Sequence, residues 1–354
     1  MTDAIYEKLA VALDRLPNGF PRTPSNVEIP LLKKIFTSDE ALLASYLTID
    51  MEPASEIAKR ASLPSEVTSE NLISMAKRGL IWFEKTPDML KFRLAPFVVG
   101  LYESQLDNMD EELAGLVDEY LADGGAAGIM KYDPALHRVI PVRGAIHGEW
   151  VLPYDDVKKI LQEAKSFATH DCICRVQRAQ LEHACDRPVH NCLVFNLTKM
   201  PPGYDAITQS EALKLLDEAE EAGLVHTVSN IASGIGYICN CCGCCCAILR
   251  GITEWGVEKS VAYANYYAVI DPDLCADCGT CQERCQIGAI ETREDISFVI
   301  REKCIGCGLC VTGCPEDAAR LEPKPEEEIV HPPENFPAWE KMRLQSRGLS
   351  AKQI

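Results

Sequence analysis

The sequence predicts an α+β chain of several domains, because its parts differ in cysteine content and in hydrophobic period. Residues 1–105 carry no cysteine, and their apolar positions recur mainly at helical spacing. Residues 106–268 mix helical and strand patterns and contain ten cysteines, which predicts a cysteine-rich α/β domain. Residues 269–321 contain the other cysteines in two runs, and 322–354 form an acidic, proline-containing arm. A chain of 354 residues is long enough for such a division.

The two cysteine runs share the spacing C-x2-C-x2-C-x3-C. The first extends from Cys275 to Cys285 and the second from Cys304 to Cys314. Zinc sites favour separated pairs of cysteines, and a disulfide framework does not suit such dense runs. A tight loop with a cysteine at every third position can instead place thiolates at three corners of an iron–sulfur cluster. The spacing therefore predicts cluster-binding loops.

In these runs the chain resembles the bacterial-type dicluster ferredoxins, over about Val269 to Arg320. It departs from that family at Gln286, where proline usually follows the fourth cysteine, and it keeps Pro315 in the second run. The resemblance implies two 4Fe–4S clusters, each with three thiolates from one run and a fourth from the other. The implied ligand sets are Cys275, Cys278, Cys281 and Cys314 for one cluster, and Cys304, Cys307, Cys310 and Cys285 for the other.

The middle region holds ten further cysteines in two groups along the sequence. They are Cys172, Cys174, Cys185 and Cys192, followed by Cys239, Cys241, Cys242, Cys244, Cys245 and Cys246. Six thiolates within eight residues would repel one another unless a metal balanced their charge, so we expect metal ligands here. The prediction is one or two further iron–sulfur clusters.

Three arrangements of these cysteines are open. Cys172, Cys174, Cys185 and Cys192 could hold a third cubane, with a fourth in the segment Cys239–Cys246. Alternatively, both segments could meet at one site and leave some thiols without metal. The third arrangement is a non-cubane cluster, because the adjacent cysteines are similar to those of heterodisulfide reductases, although the spacing differs.

Several other elements are predicted around these cysteines. An amphipathic helix is expected from Asp155 to Ala168, and Ser210 is expected to cap a helix from Glu211 to Ala222. The segment 139–146 reads as a pair of strands, and His147 as a structural histidine.

The cysteine-free region contains a helix–turn–helix pattern. Helices are predicted at 54–61 and 65–77, followed by strands at 80–83 and 89–94. This order resembles a winged helix, in which the second helix reads the DNA major groove. Here that helix carries Glu66 and Glu70 and has cations only at its end, so we interpret the region as a protein-contact module.

Charge and cysteine usage limit the partners and the compartment. A net charge of −18 argues against general binding to nucleic acid or to an anionic membrane. We see neither an apolar run of membrane-spanning length nor a secretory signal, so we expect a cytoplasmic protein. Eighteen cysteines there predict metal ligands rather than disulfides, and so many oxygen-sensitive clusters would suit an anaerobe.

Taken together, these features resemble the multi-domain 4Fe–4S ferredoxin-type proteins of anaerobic bacteria and archaea. The resemblance implies clusters and electron transfer. The eight ligands in two ferredoxin loops, in an acidic chain without a recognised organic-cofactor motif, favour a relay of single electrons through two ferredoxin-type clusters and at least one further cluster. The partner would be a redox protein such as an oxidoreductase complex, and the chain would be an electron carrier or subunit more than a stand-alone enzyme.

Two other functions stay open from the sequence. One is an iron–sulfur redox sensor that regulates transcription through the winged helix. The other is a cluster-based oxidoreductase with its substrate at the Cys172–Cys246 site, beside His170, Asp171 and Arg175.

Overall fold

The computed structural model describes residues 2–146, 152–196 and 203–349, and the chain divides into two compact units. The first unit consists of Met1–Asp133, Val176–His183 and Glu340–Ile354, and the second of Pro134–Arg175 and Ala184–Trp339. His147 lies outside the described residues. Among the helices that are described, none combines the length and the apolar character that a membrane crossing requires.

The first unit is mainly helical, with one small sheet. Its helices include α1 (Thr2–Asp14), α2 (Glu28–Ile35), α3 (Ser38–Ala44), α4 (Ala54–Ala61), α5 (Ser65–Lys77), α6 (Glu111–Tyr120) and α7 (Ala126–Met130). Its strands are β1 (Glu52–Pro53), β2 (Ile81–Lys85) and β3 (Leu90–Leu94), in the antiparallel order β1-β3-β2. Helices α4 and α5 and the β2–β3 hairpin lie within two residues of their predicted bounds.

The core of the first unit combines aromatic rings with one buried cation. The Tyr120 ring lies 4.7 Å from that of Phe20 and 5.3 Å from that of Phe97, measured between centroids. Arg343 is fully buried, and its guanidinium donates to the carbonyl oxygens of Pro17 at 3.0 Å and Tyr132 at 2.5 Å. The guanidinium therefore satisfies backbone carbonyls inside the first unit.

The second unit is built on a seven-stranded sheet. Its strands are β4 (His137–Val139), β5 (Phe167–Asp171), β6 (His190–Phe195), β7 (Asp205–Ile207), β8 (Val225–Ser229), β9 (Tyr237–Cys241) and β10 (Val261–Ala262). They are ordered β10-β4-β8-β9-β6-β5-β7, and only the β10–β4 pair among these described strands is parallel. The accompanying helices are α8 (Val157–Gln162), α10 (Gln209–Glu221) and α11 (Ala247–Thr253). Helix α9 (Ile173–Gln180) begins in this unit, and its residues from Val176 onward belong to the first.

Two predicted elements of this unit are wrong in part. The helix expected at 155–168 ends at Gln162, and the residues from Phe167 form β5, whose partners are β6 and β7. In the segment 139–146, where a strand pair is expected, only Val139 lies in a strand, as the last residue of β4, and a 3-10 turn follows at Arg143–Ala145. Pro141 lies between them and offers no N–H to a strand ladder, which explains why β4 stops.

The predicted N-cap of α10 is also wrong. Thr208, not Ser210, caps this helix: its hydroxyl accepts the Glu211 N–H at 3.2 Å. The Glu211 carboxylate in turn accepts the Thr208 N–H at 2.7 Å, which completes a capping box. The helix consequently starts two residues earlier than expected.

The C-terminal part of the second unit contains an internal repeat. Two short helices, α12 (Thr280–Arg284) and α13 (Leu309–Thr312), alternate with the strands β11 (Tyr266–Ile270), β12 (Ile290–Arg293), β13 (Ile296–Val299) and β14 (Ala319–Pro323). Strand β11 pairs with β14 and β12 with β13, both antiparallel. The last described helix is α14 (Phe336–Ser346), where Trp339 is buried and donates its indole N–H to the Ala135 carbonyl at 3.0 Å.

Candidate metal centres

Two cavities lie in the C-terminal repeat, and each is lined by cysteines from both runs. The first, of ≈ 340 Å³, is lined by Cys275, Cys278, Cys281 and Cys314. The second, of ≈ 370 Å³, is lined by Cys285, Cys304, Cys307 and Cys310. Each cavity thus brings three cysteines of one run together with one cysteine of the other.

The backbone of the repeat supports both cavities in the same way. Helices α12 and α13 follow Gly279 and Gly308, which adopt φ angles of 75° and 81°, in the left-handed region that favours glycine. The Ala289 N–H donates to the sulfur of Cys285 at 3.1 Å, and the Ala318 N–H donates to that of Cys314 at 3.2 Å. Such N–H bonds stabilise a thiolate ligand and tune the potential of a bound cluster.

The donor set fits a cubane cluster in each cavity. Four thiols surround each space, and most of the remaining lining of the second cavity is apolar. Burial raises the pKa of Cys307 to about 12 and the pKa of Cys310 well above its usual value. These thiols would therefore ionise at neutral pH only when a metal centre compensates their charge.

The ten middle cysteines separate into two sets that do not follow their order along the chain. The first, here called the four-thiol set, has all its sulfur atoms within 4.8 Å of one another and consists of Cys185, Cys242, Cys244 and Cys245. The second, the six-thiol set, consists of Cys172, Cys174, Cys192, Cys239, Cys241 and Cys246. This division differs from a site made of Cys172, Cys174, Cys185 and Cys192, because Cys185 joins the later segment.

The six-thiol set is connected by interactions between its side chains. The interacting pairs are Cys172–Cys174, Cys172–Cys192, Cys192–Cys239, Cys174–Cys246 and Cys241–Cys246. Hydrogen bonds with Cys174 and Cys192 hold the pKa of Cys172 well below its usual range and raise the pKa values of those two partners. The Cys172 thiolate is thus stabilised by two protonated neighbours, Cys174 and Cys192. A metal centre bound here would take the place of their protons.

The sheet explains why five of these six thiols lie together. Cys192 lies on β6, opposite His170 of β5, and Cys239 and Cys241 are two residues apart on β9, so they face the same side. The Cys241 sulfur lies 3.4 Å from the Thr227 hydroxyl on β8. Cys172 and Cys174 join the set at the end of β5 and the start of α9.

A buried cation accompanies both sets. Arg175 is 3% exposed, and its guanidinium donates to Asn191 Oδ1 at 3.0 Å and to the Asn240 carbonyl at 2.9 Å. Burial works to lower the pKa of Arg175, but the thiolates of Cys172 and Cys242, which belong to different sets, outweigh it and raise that pKa. A fixed positive charge beside the thiols offsets part of their repulsion.

His170, Asp171 and Arg175, which the sequence places beside the thiols, have separate hydrogen-bond partners. His170 Nδ1 bonds to the Asp171 carbonyl at 2.8 Å, and the Asp171 carboxylate bonds to His190 Nδ1 at 2.7 Å. Arg175 is held by the two asparagines. These bonds suit a supporting role around the thiols better than direct substrate chemistry.

Sequence reasoning missed the role of Gln286. Its side-chain Oε1 accepts the Gly243 N–H at 3.1 Å, and a Cβ added at Gly243 would lie only 2.0 Å from the Gln286 carbonyl oxygen. The Gly243 carbonyl in turn accepts the Thr253 hydroxyl at 2.9 Å. The unusual residue after Cys285 therefore joins the second cluster loop to the cysteine-rich segment. Its departure from the expected proline was the signal in the sequence.

Comparison with known proteins finds a matching family model and several similar ferredoxin-type proteins. A family model described as a 4Fe-4S dicluster domain matches residues 267–315. An uncharacterized ferredoxin of Methanocaldococcus jannaschii is 31% identical over 90 residues, which cover 25% of this chain and 52% of that protein. Pyruvate synthase subunit PorD of Methanothermobacter marburgensis is 31% identical over 65 residues, which cover 18% of this chain and 76% of that protein.

A subunit of a larger complex is also similar to part of this chain. It comes from the Na(+)-translocating ferredoxin:NAD(+) oxidoreductase complex of Acetobacterium woodii and is 42% identical over 57 residues, covering 16% of this chain and 17% of that protein. No solved structure matches the chain. This chain therefore spans about half the length of the ferredoxin from Methanocaldococcus jannaschii and about a sixth of the subunit from Acetobacterium woodii. With two thiol quartets of the required composition and these similarities, the chain belongs to the 4Fe-4S dicluster ferredoxin family.

Proposed function

We propose that the chain relays single electrons between its two ferredoxin-type sites and a further metal centre in the six-thiol set. Iron–sulfur clusters, where bound, supply one-electron transfer. The protein's own residues would hold the centres at fixed positions, exclude water and set their potentials through hydrogen bonds to sulfur. The contact between Gln286 and Gly243 is the observation that carries this proposal. It joins the second cluster loop to the segment 239–246, which supplies Cys239, Cys241 and Cys246 to the six-thiol set.

Few bonds separate the second cluster cavity from the cysteine-rich segment around Gly243. Cys285 lines the second cavity and precedes Gln286 directly, while Gly243 stands between Cys242 and Cys244. One hydrogen bond of 3.1 Å therefore connects the two cysteine-containing loops. Gly243 lacks a side chain, so the two backbones can approach as closely as they do.

Exposure indicates where electrons would enter or leave. Cys278 of the first cavity is exposed, whereas Cys304 and Cys310 of the second are buried. Glu316 also lines the first cavity, and the whole chain has a net charge of −18. We propose that a redox protein with a basic surface docks beside Cys278, because opposite charges steer such encounters.

Two relatives suggest what kind of partner the chain serves. The PorD relative is a subunit of pyruvate synthase, and the relative from Acetobacterium woodii is a subunit of a ferredoxin:NAD(+) oxidoreductase complex. We propose that this chain likewise serves an oxidoreductase complex, in the cytoplasm. Chemical cross-linking in a native anaerobic extract would test this, with reversal of the charge of Glu316 as the control that weakens the contact.

The relay is tested by a redox titration followed by EPR on anaerobically purified protein. We expect reversible reduction at both ferredoxin-type sites and at a third centre. A Cys172→Ser/Cys192→Ser double variant should lose the third signal and keep the other two. Signals from the ferredoxin-type sites alone, unchanged in the double variant, would contradict a third centre. Absence of any reversible reduction would contradict the relay itself.

We propose a separate role in protein contact for the winged-helix-like part of the first unit. Helices α4 and α5 precede the β2–β3 hairpin, and Glu66 and Glu70 on α5 are exposed. Two apolar side chains on these elements are also exposed, Val67 by 50% and Phe83 by 55%. This surface suits a protein better than a phosphate backbone. Salt-sensitive binding of a specific DNA by the oxidised or reduced protein would contradict this role.

A further inference from the structure

The four-thiol set has a compactness that the cluster cavities lack. The sulfur of Cys245 lies 3.7 Å from that of Cys244 and 3.6 Å from that of Cys185, and all four sulfurs lie within 4.8 Å of one another. A tetrahedral ion with metal–sulfur bonds of about 2.3 Å holds its sulfur atoms roughly 3.8 Å apart. The two measured separations agree with that spacing.

A cubane cluster requires a wider arrangement. Each of its four cysteines binds a different iron, so the cluster core holds the thiolates apart. The two ferredoxin quartets line cavities, and neither brings its sulfur atoms within 4.8 Å of one another. In residues 2–146, 152–196 and 203–349, the four-thiol set is the only group of potential ligands found this close together. The spacing of the sulfur atoms therefore distinguishes the four-thiol set from the two ferredoxin quartets within the same chain.

We propose that Cys185, Cys242, Cys244 and Cys245 bind a single tetrahedral Zn²⁺ and not an iron–sulfur cluster. Zinc favours four thiolates in closed structural sites, and tetrahedral sulfur coordination is typical of this metal. Four thiolates and one Zn²⁺ would leave a charge of about −2. Arg175, which is buried and interacts with the thiolates of Cys242 and Cys185, would offset part of it.

The surroundings favour a structural site. Cys242 and Cys245 pack in an apolar cluster with Ala219 and Leu224. Ala219 lies in the last turn of α10, and Leu224 directly precedes β8. Cys185 comes from a different part of the chain, the loop that follows α9. An ion held by all four would fasten these segments together, and the Gln286 and Thr253 bonds to Gly243 would keep the central loop in place.

This inference does not rest on the electron relay, and the metal content of the protein tests it. Protein purified anaerobically without added zinc should contain about one zinc per chain besides its iron. Zinc-edge X-ray absorption should show sulfur neighbours at about 2.3 Å and no iron neighbour. A Cys185→Ser/Cys244→Ser variant should lose that zinc and retain the iron, the sulfide and the EPR signals of the wild type.

A matched control comes from the other set of middle thiols. A Cys192→Ser variant should keep the zinc, because Cys192 belongs to the six-thiol set. The proposal is overturned if the wild type contains no zinc. It is also overturned if the Cys185→Ser/Cys244→Ser variant loses about four irons with their sulfide. Loss of a single iron without sulfide would likewise overturn the zinc assignment. Since the wild-type measurement needs no substitution, a variant that fails to fold does not spoil the test.

Discussion

Replacing Gly243 by alanine should destabilise the second unit, because no space exists for the added methyl group. Its carbon would lie 2.0 Å from the Gln286 carbonyl oxygen, and an ordinary contact begins at 3.4 Å, so the two backbones would have to separate by about 1.4 Å. Overpacking of this kind costs about 1–3 kcal/mol. The separation would also lengthen the 3.1 Å bond from the Gly243 N–H to Gln286, a loss of about 1 kcal/mol.

The assay is anaerobic thermal unfolding followed by visible absorbance, with metal content measured beforehand. A total loss of roughly 2–4 kcal/mol should lower the midpoint by roughly 5–15 °C for a unit of this size. Gly115→Ala is the matched control, because Gly115 lies in α6 with nothing within 4 Å of the added carbon. That change should be neutral or stabilising by up to about 1 kcal/mol. A Gly243→Ala protein with wild-type midpoint and metal content would refute the reasoning.

Three further predictions follow from individual side chains. Gln286→Ala should lower the unfolding midpoint by less than Gly243→Ala, since it leaves one N–H unpaired but creates no clash; an equal or larger effect would contradict this. Burial lowers the pKa of His137 from 6.5 to about 4, so the unfolded chain binds more protons between those values. Stability should therefore fall as the pH drops from 6.5 to 4, and His137→Gln should flatten part of that decline in denaturant titrations; an unchanged slope would count against it. Arg343→Met should cost about 3 kcal/mol or more, measured by urea unfolding, because buried carbonyls lose their donor; a change under about 1 kcal/mol would contradict the burial.

The grouping of the ferredoxin cysteines could be predicted because their ligand pattern is local and repeated. Each loop contributes three ligands at fixed spacing, so the sequence almost determines the geometry. The middle cysteines carry no such pattern. Cys241 and Cys242 are adjacent, yet they belong to different sets, as do Cys245 and Cys246. Successive side chains on a strand point to opposite faces, and the turn after the strand changes their direction again. The sequence alone does not show that β9 ends at Cys241, so it does not show which cysteines share a face.

The helix–strand error at 155–168 has a similar origin. Apolar residues near Phe167 match a helical period, but hydrogen bonds with β6 and β7, far away in the sequence, make that segment a strand. In contrast, α4 and α5 depend on local features. Proline precedes each of them, and Ser62 in the left-handed conformation ends α4, so their bounds could be predicted without tertiary information.

The position of Arg343 has a consequence for how the protein is made. The first unit includes Met1–Asp133 but also Glu340–Ile354, and Arg343 supplies hydrogen bonds to Pro17 and Tyr132 within it. A ribosome synthesises every cysteine of this chain before it reaches Arg343. The N-terminal unit therefore cannot complete its core until all metal-binding segments have been translated. Insertion of metal into the nascent chain can consequently begin before the N-terminal unit has closed.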